Sequence, residues 1–79
     1  MTNHEATFEI RSRADAHAVQ ALLERVYDTF REELRETGGL DARKQEALEA
    51  FETLREASQE PSRGTLTVVY DREGTGLDD

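Results

Sequence analysis

Residues 13–59 decide the fold, and they read RADAHAVQALLERVYDTFREELRETGGLDARKQEALEAFETLREASQ. Apolar residues recur at spacings of three and four on both sides of the Gly-Gly pair, which is the period of an amphipathic α-helix. The segment therefore predicts two helices, over residues 13–36 and 42–59, that fold back on each other at Thr37-Gly38-Gly39. So short a connection favours an antiparallel hairpin.

Local signals mark the ends of both helices. Ser12 opens a capping box in which its hydroxyl accepts a hydrogen bond from the Asp15 amide. A glycine just after the first helix takes the left-handed conformation without a steric penalty. Leu40 is expected to fold back over the turn, and Asp41 to cap the second helix. Pro61 disfavours helical geometry at the residue before it and ends the second helix.

The apolar stripe of the first helix is unusually wide. At about 100° per residue, it covers an arc of about 140°. Its members are Val19, Leu22, Leu23, Val26, Tyr27, Phe30 and Leu34. Such an arc exceeds what one antiparallel helix can cover, so we expect the first helix to contact a second surface, formed by the strands or by another subunit. The narrower stripe of the second helix indicates an outer helix, packed on one side.

Two short segments outside the hairpin, residues 6–11 and 65–71, alternate between apolar and polar residues as half-buried strands do. The residues on their apolar faces are Phe8 and Ile10 in the first segment, and Leu66, Val68 and Tyr70 in the second. An antiparallel hairpin brings the attachments of both segments to the same end. The two strands can therefore pair antiparallel.

The sequence thus predicts an α+β protein of β-α-α-β order, an antiparallel helical hairpin packed on a two-stranded antiparallel sheet. Residues 1–79 form one small domain, with residues 1–5 and 72–79 as disordered tails. A chain of this size buries only about 60% of its unfolded surface. It has no cysteine to staple the core, and a two-stranded ribbon leaves two open edges.

Pairing of one edge with its symmetry mate, in a homodimer, would complete a four-stranded sheet. The residues expected at this partner or dimer interface are Phe8, Ile10, Tyr27, Leu66, Val68 and Tyr70.

Acidic residues dominate the charge. Eighteen Asp and Glu stand against ten Lys and Arg, a formal net charge of −8, and Lys44 is the single lysine beside nine arginines. Together with the many alanines, this pattern resembles the cytoplasmic proteins of halophilic archaea. An acidic protein from a GC-rich bacterium has a similar bias. In molar salt the Debye length falls to about 3 Å, which screens the repulsion within such a surface.

The composition also bears on location and partners. No apolar run approaches the roughly 18 residues of a membrane span, and the N-terminus lacks the apolar core of a signal peptide. We therefore expect a cytoplasmic protein. A negative surface argues against anionic membranes and bare nucleic acid as partners. Arg11 and Arg13, with Arg63 expected close by, make too thin a basic patch to reverse that expectation.

The sequence contains no pattern typical of catalysis or metal binding. His4 and His17 have no partner at a metal-ligand spacing. Paired catalytic carboxylates need contrasting environments, whereas the acidic residues follow solvated helix faces. The serines lack a nucleophile elbow, and no glycine pattern matches a nucleotide-binding loop. We therefore expect no enzymatic activity, no cofactor and no metal site.

The tip of the hairpin is the main charged candidate site. Four basic residues flank the turn, namely Arg31, Arg35, Arg43 and Lys44. They could bind a phosphate or an acidic partner segment, because anions are favoured at a helix N-terminus. The alternative is internal pairing with the nearby acids Glu32, Glu36 and Glu46.

These observations favour a small, non-enzymatic interaction or adapter protein that is a homodimer. The alternative is a regulatory protein that binds a small anionic ligand at the hairpin tip or at the dimer interface.

Overall fold

The computed structural model of the protein describes residues 2–39, 41–74 and 76. Its elements follow the order β1 (Thr2–Ile10), α1 (Arg13–Glu36), α2 (Ala42–Ser58) and β2 (Gly64–Arg72). The two strands form one antiparallel sheet, and the two helices form a hairpin beside it. The predicted β-α-α-β architecture is confirmed.

The first helix begins and ends at the predicted caps. The Ser12 hydroxyl accepts a hydrogen bond from the Asp15 amide at 3.1 Å, and the Asp15 carboxylate accepts one from the Arg11 amide at 2.9 Å. The first of these hydrogen bonds satisfies an amide that the first helical turn leaves unpaired, and the second fixes Arg11, the residue before the N-cap, to the helix. At the other end the Thr37 amide and hydroxyl both donate to the Glu33 carbonyl, at 3.1 and 2.8 Å.

Two glycines make the turn between the helices. Gly38 and Gly39 have φ angles of +121° and +84°, which residues with a Cβ rarely adopt. The chain then enters α2 through Asp41, whose carboxylate accepts a hydrogen bond from the Lys44 amide at 2.9 Å. Leu40, expected to fold over this turn, lies outside the described residues.

The core lies between the helices and is small. Its buried side chains form one stripe of α1 and a single position of α2, and they are Ala16, Val19, Leu23, Tyr27 and Leu48. Phe30 and Phe51 add an edge-to-face contact across the hairpin, with their ring centroids 5.1 Å apart. As predicted, α1 is the more strongly amphipathic helix.

Both strands are longer than the sequence indicated. All nine residues of β1 pair with all nine of β2, from Thr2 opposite Arg72 to Ile10 opposite Gly64. Thr2–Glu5 therefore belong to the sheet, which corrects their assignment to a tail. Polar residues at 2–5 gave no alternating pattern, but backbone pairing with 69–72 does not require one. Of the expected C-terminal tail, Arg72 ends β2, and the described residues beyond it, 73, 74 and 76, belong to no helix or strand.

Stability should depend strongly on Leu48 and weakly on Leu54, which lie on the same helix with 6% and 46% of their surfaces exposed. A buried leucine leaves a cavity when truncated, so Leu48→Ala should cost about 2–5 kcal/mol. That is a large part of the roughly 4–12 kcal/mol available to a domain of this size. Leu54→Ala should cost about 1 kcal/mol or less, because truncation of a half-exposed side chain leaves no closed cavity. Urea unfolding of both variants in molar KCl measures the difference, and equal losses would contradict the assigned core.

Candidate interaction surface

The sheet has one apolar and one polar face. Residues that lie directly opposite each other in an antiparallel pair share a face, so the observed register assigns every side chain. The apolar sheet face consists of the pairs Ile10–Gly64, Phe8–Leu66, Ala6–Val68 and His4–Tyr70, and the register places the charged Arg72 at its far end. The polar sheet face consists of Glu9–Thr65, Thr7–Thr67, Glu5–Val69 and Asn3–Asp71. Such a division is typical of a sheet that buries one side and exposes the other.

The helices cover only the near half of the apolar sheet face, the part beside the strand–helix connections. Leu66 and Ile10 line a cleft against Leu23 of α1 and Leu54 of α2. The next part of the face opens as an apolar groove with a volume of about 260 Å³. The groove is lined by Phe8, Ala18, Val19, Leu22 and Leu66.

The far half of this face, Ala6, Val68, His4 and Tyr70, has no cover within the described chain. Val68 is 54% exposed and Tyr70 is 64% exposed, although both side chains point to the same side of the sheet as the half-buried Leu66. Beside them, Leu22 of α1 and Phe8 are also exposed. An apolar face that continues beyond its own helices is the form of an interaction surface.

The chain is less compact than a globular protein of the same length. The radius of gyration is 14.7 Å, whereas a compact chain of 79 residues has about 11.6 Å. The accessible surface is 6614 Å², against about 4,850 Å² for a compact monomer of this mass. The surplus of about 1,750 Å² exceeds the roughly 800 Å² that each partner buries in an interface of standard size.

Five of the six predicted interface residues come together on this surface. Phe8, Val68 and Tyr70 are its exposed members, and Ile10 and Leu66 are its half-buried ones. Leu22, Ala6 and Ala18 were not expected there. For Leu22 the signal existed, since it belongs to the wide apolar arc of α1 that the second helix could not cover.

Tyr27, the sixth predicted residue, does not belong to this surface. It is buried in the hairpin, where its ring lies 4.5 Å from the guanidinium of Arg55 and 5.5 Å from that of Arg31. The Nε of Arg55 is buried and has no hydrogen-bond partner in the described chain. The face of the aromatic ring offers this cation a compensating attraction. The role of Tyr27 is therefore to pack the two helices.

The four basic residues of the hairpin tip are not brought into one site. Arg31 stacks on Tyr27, more than a helical turn before the glycines. Among the described residues, none of the four charged side-chain groups lies within 4.0 Å of a carboxylate oxygen, so the internal pairing with Glu32, Glu36 and Glu46 is not formed. The N-terminus of α2 already holds an anion, since the Asp41 carboxylate accepts a hydrogen bond from the Lys44 amide. Arg43 and Lys44 lie beside that carboxylate.

Asp41 should make stability depend on pH. The hydrogen bond from the Lys44 amide, opposed by desolvation and aided by the charges of Lys44 and Arg43, holds the pKa of Asp41 below its usual value of 3.8. A carboxyl with a lowered folded-state pKa stabilises the fold above its unfolded pKa, and this contribution disappears as the pH falls through the folded-state pKa.

We therefore expect Asp41→Ala to lower the melting temperature at pH 7, and the gap to the unmodified protein to narrow below pH 3.8. Asp41→Asn is the control, because it keeps a neutral cap without the titrating charge. Thermal melts between pH 2 and pH 7 measure both. A gap for Asp41→Ala that stayed constant over this range would contradict the role of the charge.

A second cleft, of about 280 Å³, lies where the strands meet the helices. Arg11, Arg13 and Arg63 all line it, as their positions in the sequence suggested. The guanidinium of Arg11 already binds the Glu9 carboxylate. The three arginines and Glu9 are all exposed to solvent, and solvent screening weakens the attraction that these arginines could exert on an anion. This cleft adds little to the thin basic patch expected from the sequence.

Searches of the described residues for other kinds of site find no cluster of three or more side chains that could hold a metal ion. Neither helix within residues 2–39 and 41–74 combines the length and the apolar character that a membrane-spanning segment needs. Comparisons with protein-family models, with curated proteins and with solved structures find no match to the chain. The apolar sheet face is the feature of the described chain with the clearest functional meaning.

Proposed function

We propose that the chain is a small, non-enzymatic protein-interaction module that acts as a homodimer. The observation that carries the proposal is the uncovered far half of the apolar sheet face, formed by Ala6, Val68 and Tyr70 beside the groove at Leu22. Solvent exposure of such a surface is unfavourable by about 25 cal/mol for each Å². A protein partner would remove it from water.

A second copy of the chain fits this surface for two reasons. The surplus of about 1,750 Å² over a compact monomer is enough for one interface of standard size on each copy. The two-stranded sheet also has two open edges in the described chain, and an added strand satisfies the backbone groups of one of them. In a homodimer, one contact would bury part of this surface and would also pair one strand edge of each copy.

The alternative function is regulation by a small anionic ligand at the hairpin tip or at the dimer interface. Arg35, Arg43 and Lys44 have no ion pair in the described residues, which favours it. The Asp41 carboxylate at the N-terminus of α2 counts against it, because it occupies the Lys44 amide and places a negative charge where an anion would bind. We therefore place this function second.

The homodimer can be tested with two neighbouring valines. Val68 and Val69 are 54% and 53% exposed, but Val68 lies on the apolar sheet face and Val69 on the polar one. Val68→Asn should weaken the dimer about tenfold or more, since the loss of a buried valine is worth about 1.5–3 kcal/mol. Val69→Asn makes the same chemical change on the polar sheet face, where no apolar contact is lost, and should weaken the dimer less.

Light scattering coupled to size-exclusion chromatography over a dilution series in molar KCl measures both dissociation constants. Circular dichroism checks that each variant is folded. A monomer mass for the unmodified protein at high concentration would refute the homodimer. Equal weakening by both variants would refute the use of the apolar face.

We propose further that the chain is a cytoplasmic protein of a halophilic archaeon. Its support is the net charge of −8 together with the scarcity of internal pairing. The described residues form two ion pairs, Arg11–Glu9 and Arg55–Glu52, although 35% of the sequence is charged. Repulsion among unpaired carboxylates destabilises a compact state, and salt screens it.

Thermal stability should therefore rise with salt. We expect the melting temperature to increase steadily between about 0.1 and 3 M KCl, over which the Debye length falls from about 10 Å to less than about 3 Å. Circular dichroism at constant protein concentration measures the shift. A melting temperature that is independent of salt would contradict the halophilic origin. It would not bear on the proposed homodimer.

A further inference from the structure

We propose that the second copy joins through the outer edge of β2, with Val68 on the twofold axis. This inference rests on the proposed homodimer and specifies its geometry: which of the two edges pairs, and in which register. The resulting sheet has the strand order β1-β2-β2-β1 across the two copies.

Charge distinguishes the two edges. β1 contains Glu5 and Glu9, so a contact between two copies of β1 would gather four carboxylates at one seam of a chain that already carries −8. In β2 the residues from Gly64 to Tyr70 are uncharged, and Asp71 and Arg72 at its end cancel. Like charges brought together across a strand pair are destabilising, so the edge of β2 is the favourable one.

The composition of β2 and its position relative to the helices also favour its edge. β2 is rich in the β-branched and aromatic residues that favour strands, including Thr67, Val68, Val69 and Tyr70. A long, uncharged edge strand is a ready template for another strand. The nearest helix, α1, packs mainly against β1. Side-chain exposure is high on both strands, at residues 3–9 of β1 and at eight of the nine residues of β2. The helices thus leave the outer edge of β2 accessible.

Symmetry then fixes the register. A twofold axis perpendicular to the sheet keeps the apolar faces of both copies on the same side. Complete overlap of the strand Gly64–Arg72 with its mate places Val68 opposite the partner's Val68. Leu66 then lies opposite the partner's Tyr70 on the apolar face. Asp71 lies opposite Thr65 of the partner subunit, so no like charges face each other.

This register gives the exposed β2 residues of the apolar sheet face an apolar neighbour. Tyr70, 64% exposed in the single chain, comes beside the partner's Leu66, which lies under that copy's own helices. The far half of each sheet is thereby placed next to the near half of the other. The apolar faces of the two copies then form one continuous surface across the seam at β2.

Cysteine cross-linking tests the inference, because the chain has no cysteine of its own. Directly opposed residues in antiparallel strands have Cα atoms about 4.5–5.5 Å apart, within the roughly 4.4–6.8 Å that a disulfide spans. Oxidation of Val68→Cys in molar KCl should therefore convert most of the dimer to a covalent dimer. Val69→Cys is the matched control, since the two copies of this residue are offset along the strand and should cross-link poorly.

A mixed experiment checks the register independently of Val68. Leu66→Cys and Tyr70→Cys should each fail to cross-link alone, because their own copies lie far from the axis. An equal mixture, allowed to exchange subunits before oxidation, should give a covalent heterodimer. Non-reducing electrophoresis and mass spectrometry identify the product.

The outcomes separate this inference from the proposal on which it rests. Cross-linking of Ala6→Cys, at the centre of β1, in place of Val68→Cys would overturn the choice of edge while leaving the homodimer in place. A dimer by light scattering in which neither Val68→Cys nor the 66/70 mixture cross-links would overturn the register. A monomer mass for the unmodified protein would refute both the homodimer and its geometry.

Discussion

The tight turn at Gly38 and Gly39 is the constraint on which the rest of the structure depends. It makes α1 and α2 antiparallel, so the start of one helix and the end of the other lie at the same end of the hairpin. Two residues join β1 to α1, and five join α2 to β2. Because these connections are so short and lie at the same end of the hairpin, the two strands lie side by side and run antiparallel.

The same constraint leaves the sheet poorly covered. Both strands start from one end of the hairpin, and α1 meets the sheet mainly through β1. The side chains nearest the connections, such as Ile10 and Leu66, find helical neighbours, whereas Val68 and Tyr70 do not. The backbone pairing of the ribbon continues regardless, because its hydrogen bonds do not depend on the helices. The apolar face therefore extends beyond the core that the hairpin supplies.

The sequence predicted what depends on local chemistry. The helix limits followed from caps such as Ser12 and Asp41, and the turn from its two glycines, because these residues act on their immediate neighbours. It missed the first part of β1, since Thr2–Glu5 are polar and their strand conformation comes from pairing with residues far along the chain. It also misplaced Tyr27. Membership of the wide apolar arc of α1 showed that the residue avoids water, but not whether α2 or another surface would cover it.

Charge and apolar surface act together in the proposed homodimer. Each copy carries a formal charge of −8, so association in dilute buffer has to overcome repulsion between two anions. Molar salt reduces the range of that repulsion to about 3 Å but leaves the apolar contact at Val68 and Tyr70 intact. Pairing through the uncharged edge of β2 adds no carboxylate to the seam, so only the repulsion between the two whole chains has to be screened. Most of the charge lies on the helices, away from β2. The charged helices would keep the dimers dispersed in solution, while the edge of β2 would hold the two copies together.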